Sequence, residues 1–124
     1  MSILKVALIA CLCFTFVYNG STQNPLLKAK DLYKEKAYEK CETIINGVIA
    51  NKSTIPDSTL AEAYKMKGDL YLKQSDLKNT LMMYEVADEI YAKYENQFSH
   101  QRIVLANKSG ICYAQQDNLV ETAK

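Results

Sequence analysis

Apolar and small side chains recur every three or four residues along most of the chain, and short polar clusters interrupt them. In residues 61–87, AEAYKMKGDLYLKQSDLKNTLMMYEVA, Tyr64, Gly68 and Tyr71 are separated by 4 and 3 residues, and Leu77, Leu81, Tyr84 and Ala87 by 4, 3 and 3. Such steps place each set on one helical face. Between them stands Gln74-Ser75-Asp76, with residue types that stop one helix and cap the next. The stretch therefore predicts two short helices joined by a tight turn. A residue as small as Gly68 lets the partner helix come close, and Tyr71 and Tyr84 fill the space beside the contact.

The same pattern recurs on either side. Asn24-Pro25 predicts a helix start, with a capping Asn and Pro at the first helical position. Ala29 and Leu32 follow, then a turn near Glu35–Ala37, then Tyr38, Cys41, Ile45 and Val48 at steps of 3, 4 and 3. Asn51–Ser58, with Pro56, reads as a linker. Thr59-Leu60-Ala61-Glu62 has the form of a capping box and predicts a new helix at about residue 60. The central pair is expected to run to about Asn96, its second helix carrying an apolar stripe on through Tyr91, Tyr94 and Phe98. A further helix is expected from near residue 100, with Ile103, Ala106, Gly110 and Tyr113 as its packed face at steps of 3, 4 and 3. Gln116-Asp117-Asn118 reads as its turn, and Leu119–Lys124 as the start of another helix. The offset from Gly68 to Tyr71 returns from Gly110 to Tyr113, and that from Tyr71 to Leu77 returns from Tyr113 to Leu119.

This arrangement resembles the tetratricopeptide repeat. In that family a small residue lies midway along the first helix with an aromatic one turn later, and small residues precede an aromatic in the second; Gly68, Tyr71, Thr80, Tyr84 and Ala87 match. The departures are Lys36 and Ser75 in place of the turn Gly, Thr80 in place of Ala, and Leu32 in place of an aromatic. Ala29, Gly68 and Gly110 stand 39 and 42 residues apart, against the roughly 34 residues of the usual repeat. The extra length falls in the second helices, as in arrays found before sensor kinases and response regulators in some bacteria. The resemblance implies an all-α, right-handed solenoid of antiparallel helix hairpins over residues 25–124, with about two and a half to three repeats.

It also implies a non-catalytic module that binds a protein or peptide in a groove lined by the first helices. The groove candidates are Glu62, Lys65, Asp69, Leu72 and Lys73, and, from the third copy, Val104, Asn107, Ile111, Ala114 and Gln115. No basic clamp for a C-terminal carboxylate is evident, because Lys65 and Lys73 flank Asp69. A second reading is the N-terminal sensory segment of a longer signalling protein, a histidine kinase or transcriptional regulator. An incomplete third copy would leave the apolar face of residues 103–113 partly open, for further chain, a partner or self-association.

The N-terminus adds a destination. One charge, Lys5, precedes an apolar run from Val6 to Tyr18, too short to cross a bilayer as a helix. Residues 1–20 read as a signal peptide cut near Gly20, making the protein exported, periplasmic or extracellular. Leu8-Ile9-Ala10-Cys11 also looks like a lipobox, which would make Cys11 a lipidation site. Without Lys5, 14 basic residues balance 14 acidic ones, which argues against a nucleic-acid groove or polybasic membrane patch. Four Gly and two Pro among 124 residues suit helices rather than a many-turned sandwich.

Catalytic chemistry finds no constellation. His100 is the only histidine, and no phosphate loop, His-Glu-x-x-His or Gly-x-Ser-x-Gly stretch occurs. Cys41 and Cys112 are expected to pack rather than bond, and no cofactor or metal is implied. Asp69, Asp76 and Glu85 read as solvated helix carboxylates. Three glycosylation sequons begin at Asn19, Asn51 and Asn107, and would matter only in a eukaryotic secretory pathway.

Overall fold

The structure is a computed structural model that describes residues 24–122 and side chains to residue 119. The leader, the lipobox, the cleavage site and Asn19 lie outside the described residues. The described chain is all-helical: α1 (Pro25–Lys34), α2 (Tyr38–Ala50), a short 3-10 turn (Lys52–Thr54), α3 (Asp57–Lys73), α4 (Leu77–Ala92) and α5 (Ser99–Thr122). Each helix packs against the next along the chain.

Local chemistry sets the boundaries. The Asn24 side chain accepts from Leu26 N–H at 3.0 Å, with Pro25 at the first helical position. At the end of α1, Lys36 takes a left-handed φ of 62°. Its N–H donates to the Tyr33 carbonyl, and Ala37 N–H donates to that of Leu32. The end of α3 repeats this bond for bond. Ser75 has φ 59°, its N–H reaches the Leu72 carbonyl, and Asp76 N–H reaches that of Tyr71. Both are Schellman closures, a turn that favours Gly because Gly has no Cβ to clash. Asp76 then caps α4, accepting from Asn79 N–H at 3.2 Å and from the Asn79 side chain at 2.7 Å.

Three expectations need correcting. Helix α3 starts at Asp57, and Pro56, with ψ 147°, occupies the cap position. Thr59 therefore lies inside the first turn and caps nothing. Helix α4 stops at Ala92 instead of running to Asn96. Glu95 turns the chain with φ 48°. Tyr91, Tyr94 and Phe98 form no helical stripe; they cluster around this turn, with Phe98 4.9 Å from Tyr91 and 5.5 Å from Tyr94 between ring centroids. The turn expected at Gln116–Asn118 does not form, and α5 runs through it to Thr122. No residue there takes the left-handed conformation that closes α1 and α3, and no Gly or Pro stands between Ile111 and Thr122.

Two apolar clusters meet at α3. Leu26, Ala29, Cys41, Ile45 and Val48 pack on Ala63, Met66 and Leu70. Ala61 joins Leu77, Tyr84, Ala87, Ile90, Tyr91, Leu105 and Cys112 in the other cluster. Burying α3 on both sides makes it the centre of the array. Gly68 shows why its surface must be small. A Cβ added there would stand 2.5 Å from Tyr84 Cε1 and 3.3 Å from Met83 Cβ.

The orientation of α5 differs from expectation. Ile103, Ala106, Gly110 and Tyr113 are all exposed, and a Cβ on Gly110 would meet nothing within 4 Å. Leu105 and Cys112, two helical turns apart, face α4 instead. Among the described residues, Cys41 and Cys112 are free thiols and both are buried, one in each cluster.

Candidate functional site

The first, third and fifth helices together line an open cavity of about 680 Å³. Tyr33 comes from α1. Asp69, Leu72 and Lys73 come from α3, with Ser75 and Leu77 from the turn and the start of α4. Lys108, Gln115, Asn118 and Leu119 come from α5. Of the groove candidates from sequence, Asp69, Leu72, Lys73 and Gln115 meet here. Helical periodicity places them, because residues 69, 72 and 73 share one side of α3, and 108, 115 and 119 one side of α5.

Asp69 organises the inner wall, and it is not the solvated carboxylate expected. Its side chain is only 14% exposed. It accepts from the Tyr84 hydroxyl and, at 2.8 Å, from Lys108 Nζ. One carboxylate thus ties α3 to α4 and α5. Burial, followed by the bond to Asp69, raises the Tyr84 phenol well above its ordinary pKa. Lys108 also stands 5.9 Å from the Tyr84 ring centroid, and Lys73 is equally far from that of Tyr33, within cation–π range. Tyr33 is itself raised, by burial first and then by the Asp69 charge. These phenols stay protonated as donors at neutral pH, and the cavity offers two cations, one carboxylate and an apolar floor.

The other candidates separate from this cavity. Glu62 takes Lys30 at 3.3 Å and Lys65 at 3.6 Å, tying α3 to α1. It also assists burial in pushing the Tyr91 phenol up to about 12. Val104 is half-buried, and Asn107, Ile111 and Ala114 are exposed on α5; none lines the cavity. Sequence reasoning missed Tyr33, Ser75, Leu77, Lys108, Asn118 and Leu119 as lining residues. The seven-residue step from Lys108 to Gln115 and the four-residue step on to Leu119 were the available signal.

Glu85 is exposed, as expected. His100 lies exposed in the first turn of α5. Among the described residues, no three His, Cys, Asp or Glu side chains gather as a metal ion would need. No helix among them is long and apolar enough to cross a membrane. No protein-family model, curated protein or solved structure matches the chain.

Proposed function

We propose that this chain is a tetratricopeptide-like module, exported by its leader, that binds a peptide or protein segment without catalysis. The observation that carries the reading is the cavity shared by α1, α3 and α5. These are the alternate helices that the repeat pattern assigns as first helices, and a groove along them is where such a module holds its ligand. Two further features support it. The Schellman turns after α1 and α3 are alike bond for bond, as two copies of one unit would be. The packing of Gly68 against Tyr84 is the contact expected of the unit's two helices. An extended peptide would set an apolar side chain against Leu72 and Leu77 and hydrogen-bond to Gln115, Lys73 and Tyr33.

A random peptide library displayed on phage and selected against the purified protein tests this. Selected peptides should lose binding to Lys73→Glu and Gln115→Arg, two exposed positions, and keep it with Lys78→Glu on α4. Failure to select any peptide, or peptides indifferent to the first two changes, would overturn the reading.

A further inference from the structure

The charges in the cavity of α1, α3 and α5 do not cancel. Its walls carry Lys73 and Lys108 against Asp69, the only acid among the lining residues. Lys108 is committed inside the fold: its Nζ lies 2.8 Å from the Asp69 carboxylate, which the Tyr84 hydroxyl also reaches. Lys73 is different. It is exposed and stands 5.9 Å from the Tyr33 ring centroid. Among the described residues, no carboxylate forms an ion pair with it. The next acid along the chain, Asp76, is turned to Asn79, whose N–H and side-chain amide both donate to it. Lys73 ends α3 and Leu77 begins α4, so helix ends of opposite polarity meet beside the cation and offset each other. One uncompensated positive charge therefore borders an apolar floor of Leu72, Leu77 and Leu119.

We propose that the segment bound in this groove carries an Asp or Glu side chain beside an apolar residue, with the carboxylate on Lys73 and the apolar group on the leucine floor. This rests on the peptide-binding reading and adds the chemistry of the ligand. A single free cation matches one side-chain carboxylate. A phosphate, or a chain terminus held between converging cations, would call on Lys108 as well, and Asp69 withholds it. Asp69 thus acts on the ligand through Lys108, as a positioning residue.

Peptides selected on phage against the purified protein provide the probe. They should share an Asp or Glu next to an apolar residue. In a synthetic copy, exchanging that acid for Asn or Gln should weaken binding about five- to tenfold, while amidating the C-terminus leaves it unchanged. Binding of the acidic copy should also weaken as salt rises, because the pair is exposed. Lys73→Glu should reverse the preference and favour a copy with Lys in place of the acid. Asp69→Asn keeps an oxygen for the Tyr84 hydroxyl and releases Lys108. It should tighten binding of a copy with a second acid, a gain that a merely structural role would not give. Peptides that bind the groove without an acid, or tolerate its exchange for the amide, overturn this proposal and leave the groove reading standing. Loss of binding on C-terminal amidation assigns the carboxylate to a chain end and overturns it too. A folded Asp69→Asn protein with no gain overturns the role given to Asp69, and a failure to select any peptide overturns both readings.

Discussion

Helices α3 and α5 carry the same local motif and meet opposite fates. Gly68 and Tyr71 on α3 recur as Gly110 and Tyr113 on α5. On α3 the glycine lies under the Tyr84 ring, while on α5 nothing stands within 4 Å of where a Cβ would be. The difference lies after the helix rather than in it. Ser75 turns α3 back in a left-handed conformation, and α4 returns over Gly68. At Gln116–Asn118 no such turn forms, and among the described residues no helix returns over the equivalent face of α5. A motif shaped for close packing does not create its partner; the turn that follows does.

The largest effect should come from exchanging the two glycines for alanine. At Gly68, where Tyr84 is buried and cannot swing aside, Gly68→Ala should destabilise the fold by about 2–3 kcal/mol. Gly110→Ala should instead stabilise α5 by roughly 0.5–1 kcal/mol through helix propensity. Urea unfolding of both variants in dilute protein compares them. Equal effects of the same sign would mean that Gly68 is not pressed against Tyr84.

Next in size is the hydroxyl pair. Tyr84→Phe removes the donor to Asp69 and should cost about 1–2 kcal/mol. Tyr113→Phe should change stability by less than about 0.5 kcal/mol, as an exposed position does. A Tyr84→Phe variant as stable as the parent would show that Lys108 alone satisfies Asp69.

The smallest change concerns the turns. Lys36→Gly and Ser75→Gly should each stabilise by roughly 0.5–1 kcal/mol, since a Cβ is strained in the left-handed region. Thermal melts of the two variants and their combination would read it. Additive gains would confirm that the two turns contribute alike and independently.

Part of this was legible in the residues alone. The spacing of Ala29, Cys41, Ile45 and Val48, and of Gly68, Tyr84 and Ala87, identified buried positions, because helical period and side-chain size are local properties. Asn24-Pro25 likewise announced the start of α1. Asp69, Leu72, Lys73 and Gln115 reached one cavity while the other groove candidates did not, since a face is readable from period whereas reach across helices is not. Lys108 illustrates the limit: its pairing with Asp69 spans 39 residues, and no spacing rule contains it.

The sequence by itself determined which residues are helical over most of the described chain and which faces of α1, α2 and α4 are apolar. On α3 the Tyr64, Gly68 and Tyr71 spacing found Gly68 but not Ala63, Met66 and Leu70, which are buried against α1 and α2. Period, capping side chains and small residues act over a few neighbours and need no tertiary partner to be read. Only the tertiary structure decided that Leu105 and Cys112, rather than Ile103 and Gly110, turn toward α4. It also decided that Asp69 joins three helices and that Gln116–Asn118 stays helical. Those outcomes depend on which surfaces meet across the fold, where burial and a shared carboxylate outweigh the local preference of any one segment.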